Sequence, residues 1–222
     1  MNNTESVIEG NDMNQKFAIF DIDKTVIHTD SMFQFLKYGI RKKPSTAPII
    51  LKVVLHSVLY KLRLLEAEKA KSAYFHAMRH MDDADLKHFY ETELKPAIFP
   101  AALKEMQRKK SEGYHVLLVT ASPDAYMRYF AELPCVDTVI ATKLSVREGR
   151  FTSMIEGNNC KGEEKVNRIQ QYLNERQLTI DYAASCAYSD SLSDLPMFGL
   201  VKHKYLINHK SAQGCEGLTW NR

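Results

Sequence analysis

Short apolar runs alternate with helical patterns along most of this 222-residue chain, and this alternation limits the possible folds more than any other feature. The run KFAIFD at 16–21 has the continuous hydrophobicity of a strand buried on both faces of a parallel sheet. Further strands are predicted at 114–120, 136–141, 183–189 and 205–208, and helices at 101–111, 123–133, 163–176 and 195–200. We therefore predict an α/β fold in which helices cover both faces of a parallel sheet.

A long helical insert separates the first two of these strands. Residues 31–95 contain several helical patterns and no convincing strand, and an Asp-Asp pair at 82–83 can cap the last helix. Residues 143–156 alternate around a Glu-Gly turn, which predicts a β-hairpin. The domain division that follows is a disordered tail at 1–15, a core domain formed by 16–30 together with 96–222, and a helical domain at 31–95.

Charge and cysteine usage argue against several functional classes. The net charge of +3 comes without a dominant basic stripe, so we expect no nucleic-acid partner. The four cysteines form no C-x-x-C pair, which argues against a zinc site or a redox motif. The polar N-terminal segment lacks the apolar stretch of a signal peptide. These features predict a cytoplasmic protein with reduced thiols.

The apolar stretch at 47–60 bears on membrane contact. Only Lys52 and His56 interrupt it, yet it is shorter than the ~18–20 apolar residues that cross a bilayer. Basic residues at 41–43, 61 and 63 flank it on both sides, as would suit an anionic lipid surface. We expect a helix buried in the helical domain, with peripheral membrane contact through 47–60 as the alternative.

Two acidic motifs follow predicted strands. Asp21, Asp23 and Thr25 form a D-x-D-x-T motif directly after the first strand, and Asp190 and Asp194 follow a later apolar strand. Open α/β sheets bind ligands at the carboxyl ends of their strands. If the strands are parallel, the four carboxylates converge on one crevice, where a hard cation such as Mg²⁺ would relieve their repulsion. The alternative is that they are helix caps and turn residues.

Two weaker signals complete the candidate site. Thr120, Ala121 and Ser122 close the second predicted strand, where hydroxyl and backbone N–H groups can bind phosphate oxygens. Such a segment also makes an ordinary helix N-cap. Lys161 and Lys165 stand at the start of a predicted helix, and either could counter the anionic cluster, although a solvated surface lysine is the common case.

Taken in this order, these motifs resemble the haloacid dehalogenase-like (HAD) phosphatase superfamily over residues 16–208. The early helical insert and the segment YSDSLSD at 188–194 are similar to subfamily IB, the phosphoserine-phosphatase-like group, which implies a Rossmann-like core with a C1-type helical cap. The segments DSMFQFLKY at 30–38 and CKGEEKV at 160–166 are most similar to members of the phosphatidylglycerophosphatase C type.

This resemblance implies a catalytic role for four residues. Asp21 would attack phosphorus and form an aspartyl-phosphate, and Asp23 would act as general acid and base. Thr120 would bind the phosphoryl group, and Lys165 would hold both the phosphate and Asp21.

The resemblance also implies the ligands of the remaining groups. Mg²⁺ would be bound by Asp21, Asp190 and the backbone carbonyl of Asp23, with Asp194 supporting the metal shell. The rest of the phosphate and substrate site would be formed by Thr25, Asp30, Ala121, Ser122 and Lys161.

Departures from the phosphoserine-phosphatase pattern bear on the substrate. Lys24 replaces a frequent glycine, TAS at 120–122 replaces S-G-G, and Asp30 replaces a glutamate near the substrate amine. We expect a phosphorylated small molecule or a phospholipid headgroup as substrate; phosphatidylglycerophosphate and phosphoserine-like metabolites are the specific alternatives. Transfer to another alcohol and non-catalytic, regulatory phosphate binding are the rival activities.

Overall fold

The computed structural model describes residues 13–221, and its centre is a sheet of parallel strands. In chain order the strands are β1 (Met13–Gln15), β2 (Phe17–Phe20), β3 (His115–Pro123), β4 (Thr138–Thr142), β5 (Leu144–Arg147), β6 (Arg150–Ile155), β7 (Leu178–Ile180), β8 (Cys186–Ser189), β9 (His203–Ile207) and β10 (Glu216–Leu218). The main sheet has the order β10-β9-β8-β2-β3-β4, with neighbouring strands parallel. The predicted parallel α/β architecture is confirmed.

Helices connect these strands. They are α1 (Ser31–Lys42), α2 (Ile49–Lys61), α3 (Ala67–Tyr74), α4 (Asp83–Phe89), α5 (Pro100–Ser111), α6 (Asp124–Met127), α7 (Glu163–Arg176) and α8 (Leu195–Phe198). Short 3-10 segments lie at Pro44–Thr46, His76–His80, Lys95–Ala97, Arg128–Glu132 and Leu192–Asp194, and a π-helical turn lies at Tyr90–Leu94.

The central strand β2 explains the layered core. Its side chains alternate between two hydrophobic clusters, so that Ala18 and Phe20 pack on one face of the sheet and Phe17 and Ile19 on the other. All four are fully buried, as the continuous apolar run predicts for a central parallel strand. The ends of β2 are therefore fixed by packing on both faces.

Several local features differ from the prediction. Residues 13–15, assigned above to the disordered tail, form β1 because their backbone pairs in parallel with β7; the rest of that tail lies outside the described residues. The helix predicted at 123–133 has a single α-helical turn, and the chain continues as a 3-10 helix.

The predicted hairpin is confirmed: β5 and β6 are antiparallel, and Glu148 and Gly149 both have the positive φ that its turn requires.

The insert at 31–95 consists of helices joined by short turns, and it packs onto the sheet domain. Its last helix, α4, begins with the predicted Asp82 cap, which forms a reciprocal capping box with Asp85. On α1, the ring of Phe35 lies 5.1 Å from that of Tyr126 and 5.2 Å from that of Phe89, measured between centroids. These rings belong to the same buried cluster as one face of β2, so the core continues into the insert.

The apolar helix α2 is exposed, so the prediction of a buried helix is wrong. Only Val53 is buried, packing with Leu36 and Ala73. Leu51 is 76% exposed, and Val54 and Leu55 are each 56% exposed. The physical reason is that α2 is apolar around its circumference, while its neighbours cover one side only. No helix within residues 13–221 is long and apolar enough to cross a membrane.

Candidate active site

The candidate residues meet at the carboxyl edge of the sheet because β2 pairs in parallel with both β3 and β8. Asp21 directly follows β2, and its N–H donates to the carbonyl of Tyr188 in β8 at 2.9 Å. Thr25 links the same two loops, since its hydroxyl accepts a hydrogen bond from the N–H of Asp190 at 2.8 Å. The first and last motifs of the chain are thus joined at one place.

Lys165 lies at the centre of this edge. Its Nζ donates to Asp21 at 2.7 Å and to Asp194 at 2.8 Å, and the residue is only 2% exposed. Burial by itself would lower the pKa of Lys165, but the two carboxylates raise it above its ordinary value, so the ammonium stays charged. Lys161 is exposed. Of the two lysines left open by the sequence, Lys165 is the one that contacts Asp21.

The carboxylate of Asp21 is held in place on one side. One of its oxygens accepts from Lys165, and the other has no hydrogen-bond partner among the residues that the structure describes. Burial raises the pKa of Asp21 to about 7; Lys165 opposes this rise and Asp194 adds to it. An additional cation at the second oxygen would favour the ionised form, which is the form that can act as a nucleophile.

Asp23 is oriented through both oxygens. One accepts from the N–H of Ser31 at 2.7 Å and the other from the hydroxyl of Ser122 at 2.6 Å. The Ser31 hydroxyl in turn donates to the Ser122 oxygen at 2.8 Å. Burial raises the pKa of Asp23 above its ordinary value, although these hydrogen bonds oppose the rise. A carboxyl group held this way, with a raised pKa, suits general acid–base chemistry.

The remaining predicted residues have clear local contacts. Thr120 accepts from the N–H of Ser122 at 3.1 Å, and Asp30 caps α1 by accepting from the N–H of Phe33 at 3.0 Å. Lys24 has φ near 60°, a left-handed conformation that glycine adopts freely.

Three residues near the site were missed by the sequence analysis: Ser31, Lys71 and Asn159. Ser31 directly follows the Asp30 cap, so its position at the start of α1 is the sequence signal for it. Lys71 donates to the carbonyl of Ala121 at 2.9 Å and to the side chain of Asn159 at 2.7 Å. No pattern in the sequence marks these two, because the contact joins the helical insert to distant loops.

The donor set at this edge suits a hard cation. Oxygen atoms are available from the carboxylates of Asp21 and Asp190 and from the backbone of Asp23. The other two acidic side chains are engaged elsewhere: Asp194 by Lys165 and Ser189, and Asp23 by its serines. Within residues 13–221, no group of three or more His, Cys, Asp or Glu side chains is arranged to hold a metal ion. A direct four-carboxylate ligand set is therefore not formed.

Comparison with known families agrees with this geometry. The model of the haloacid dehalogenase-like hydrolase family matches residues 18–199, which is most of the chain. The chain belongs to this family. The match spans the described motifs from β2 to the end of α8, so both acidic motifs and Lys165 lie inside it.

One relative in this family is a phosphatase, and two solved structures share the fold of this chain. A histidinol-phosphatase of Neisseria meningitidis serogroup C is 25% identical over 201 residues, covering 87% of this chain and 90% of its own. A structure of unknown function from Bordetella pertussis Tohama I has a TM-score of 0.78 at 25% identity, covering 88% and 91%. A phosphoserine phosphatase, solved as a phospho-aspartyl intermediate analogue, has a TM-score of 0.63 at 17% identity, covering 87% of each chain; this likeness concerns the fold.

Proposed function

We propose that this chain is a Mg²⁺-dependent phosphomonoester hydrolase that works through an aspartyl-phosphate on Asp21. The observation that carries the proposal is the buried Lys165 ammonium, 2.7 Å from Asp21 and 2.8 Å from Asp194 at the carboxyl edge of the sheet. Such a site offers a positioned carboxylate and a fixed positive charge beside it. Those are the elements needed to attack and stabilise a phosphoryl group.

The first step uses Asp21 and Asp23 in different roles. A carboxylate oxygen of Asp21 forms a bond to phosphorus while the bond from phosphorus to the ester oxygen breaks. Asp23 gives its proton to the departing oxygen, which leaves as an alcohol. Lys165 balances the negative charge that gathers on the phosphoryl oxygens, and Thr120 and Ser122 line their other side.

The second step reverses the proton transfer. Asp23 takes a proton from water, whose oxygen attacks phosphorus, and the bond between phosphorus and Asp21 breaks to release inorganic phosphate. The carboxylates of Asp21 and Asp190 and the backbone carbonyl of Asp23 would hold Mg²⁺, which supplies positive charge to the phosphoryl oxygens. Asp194 would act indirectly, by orienting Lys165.

The nucleophile assignment is tested with p-nitrophenyl phosphate. We expect Asp21→Asn to lower the rate by at least about 10³-fold, the scale of losing a nucleophile. Glu175→Gln, which removes an exposed carboxylate on α7, should leave the rate unchanged. Chelation should stop the wild-type reaction and added Mg²⁺ restore it. If the activity of Asp21→Asn is close to that of the wild type, Asp21 is not the nucleophile and the proposal is wrong.

We further propose that residues 31–95 act as a cap over the site, as in subfamily IB, and that α2 brings it to an anionic lipid surface. The helix exposes Leu51, Val54 and Leu55. Between Asp30 and Glu66 the chain has no acidic residue, while Lys or Arg occupies positions 37, 41–43, 52, 61 and 63. An apolar face with basic flanks suits the interface of an anionic bilayer.

This favours a lipid-linked phosphomonoester, such as phosphatidylglycerophosphate, as a second candidate substrate beside soluble metabolites. Flotation with phosphatidylcholine vesicles, with and without phosphatidylglycerol, tests the surface; binding should require the anionic lipid and weaken as salt is added. Turnover of phosphatidylglycerophosphate in the same vesicles tests the substrate. If neither vesicle binding nor turnover is observed, soluble phosphomonoesters are the remaining candidate substrates.

A further inference from the structure

A cavity of about 580 Å³ lies beside the candidate active site, between the helical insert and the loops at the sheet edge. Its charged lining is mostly cationic, with Lys61, Lys71 and Lys161 against the single carboxylate of Asp30. That carboxylate already caps α1. Among the side chains that the structure describes, none of these three lysines forms an ion pair with a carboxylate. The cavity therefore has a surplus of positive charge.

Lys71 is the best placed of these cations. Its ammonium donates to two neutral acceptors, the carbonyl of Ala121 at 2.9 Å and the amide oxygen of Asn159 at 2.7 Å. An ammonium has three N–H donors, so one remains for a ligand in the cavity. Asn159 is itself fixed, since its side-chain oxygen also accepts from Thr142 at 3.2 Å.

The position of Lys71 relates the cavity to the chemistry. Ala121 directly precedes Ser122, whose hydroxyl holds Asp23 at 2.6 Å. Lys71 thus contacts the same end of β3 that orients the proposed general acid. Burial, with the nearby charge of Lys161, lowers the pKa of Lys71 to about 8, although the charges of Asp23 and Asp30 oppose this change.

We propose that Lys71, with Lys161 beside it, binds a second anionic group of the substrate, a carboxylate or a second phosphate, close to the phosphoryl group that Asp21 attacks. This inference rests on the proposed phosphatase function and names the substrate class of that site. An apolar wall formed by Met32, Phe33 and Tyr60 would contact the carbon atoms that join the two anionic groups of the substrate. A hydrogen bond to a charged group in such a half-closed site contributes far more than one at an open surface.

A matched pair of ligands tests the proposal. 3-Phosphoglycerate and glycerol 3-phosphate differ only in a carboxylate that replaces a hydroxymethyl group, and both can be measured as competitors of p-nitrophenyl phosphate. In the wild type we expect the inhibition constant of 3-phosphoglycerate to be about 10- to 100-fold lower, the effect of one charged hydrogen bond. In Lys71→Met this ratio should fall to near one, and Lys71→Arg should restore most of it.

The control is Lys69→Met, on the same helix, where the lysine is exposed and pairs with Glu66; it should keep the wild-type ratio. Equal inhibition by the two ligands in the wild type, or an unchanged ratio in Lys71→Met, would overturn the inference. If the wild type fails to hydrolyse p-nitrophenyl phosphate, the proposed function fails instead. The ratio of the dissociation constants of the two ligands is then measured by titration calorimetry, which still decides whether Lys71 binds the second anion.

Discussion

The sheet edge and the helical insert differ in how their charged groups are paired and how their apolar side chains are buried. At the sheet edge, the buried Lys165 is matched by two carboxylates, and the oxygens of Asp23 are both hydrogen-bonded. In the insert, Lys71 donates to two neutral acceptors, and most apolar side chains of α2 face outward. At the sheet edge the buried cation is matched by carboxylates, whereas in the insert the cation and the apolar helix lack such matching partners among residues 13–221.

This difference suggests a division of labour. Charges buried together must satisfy each other, because an unpaired buried charge is strongly unfavourable. Groups that contact only a ligand or a surface lack that constraint and stay unmatched until the partner arrives. We infer that the common phosphoryl chemistry is organised by the strand ends, and that the choice of substrate is made by the insert. The following substitutions test the contrast, from the largest expected effect to the smallest.

Replacing the central cation of the sheet edge should affect both activity and stability. Lys165→Met leaves two buried carboxylates facing each other, so we expect the free energy of unfolding to fall by about 3–5 kcal/mol. Hydrolysis should fall by at least about 10³-fold, since a fixed charge at the transferring group is lost. Urea unfolding and steady-state rates measure the two effects.

Arg176→Met is the matched control, since it removes a cation from the same helix where the guanidinium stacks on Tyr172. It should cost at most about 1 kcal/mol, the scale of an exposed cation–π contact, and leave the rate unaltered. Equal stability losses for the two variants would mean that the Lys165 ion pairs are not the main electrostatic feature of the site.

Asp23→Asn should separate the two chemical steps. With an alkyl phosphate, whose leaving group needs protonation, we expect a rate loss of about 10²- to 10⁴-fold. With p-nitrophenyl phosphate the first step needs little acid, so a burst of p-nitrophenol equal to the enzyme concentration should precede slow turnover. Stopped-flow absorbance measures the burst. Equal losses on both esters, without a burst, would contradict the acid–base role.

Phe35→Ala tests how firmly the insert is joined to the sheet domain. Phe35 is fully buried between Phe89 and Tyr126, and its removal should destabilise the protein by about 3–5 kcal/mol. Chemical denaturation measures this change. The exposed ring of Phe33, two residues earlier on α1, provides the control, and Phe33→Ala should cost well under half as much. A small effect of Phe35→Ala would mean that the insert is only loosely attached.

Local sequence patterns predicted much of the fold because these elements form mainly through interactions between residues that are close in sequence. The apolar run of β2, the capping acid of α4 and the turn of the β-hairpin all lie where the sequence indicates. The strands β1, β7 and β10 were missed: each has only three residues, and β1 and β7 pair with each other although they are distant in sequence. Short strands of this kind depend on tertiary pairing more than on propensity.

The candidate site shows the same limit. Asp21, Lys165 and Asp194 were all recognisable as motif residues, and they do meet. Lys71 was not recognisable, because its contacts depend on how α3 lies against the end of β3 and the loop before α7. The exposure of α2 was also missed, since an all-round apolar helix is normally buried and its cover depends on neighbouring elements.

The smallest expected effect is at the outer face of α2. Leu51→Gln replaces a side chain that is 76% exposed, so the free energy of unfolding should change by no more than about 0.5 kcal/mol. Val53→Ala, on the buried side of the same helix, should cost about 1–2 kcal/mol for two lost methyl groups. Vesicle binding should show the reverse order, weakening in Leu51→Gln and persisting in Val53→Ala. If Leu51→Gln instead costs as much stability as Val53→Ala, this face is already covered by protein in solution, and it cannot also be the face that meets a lipid surface.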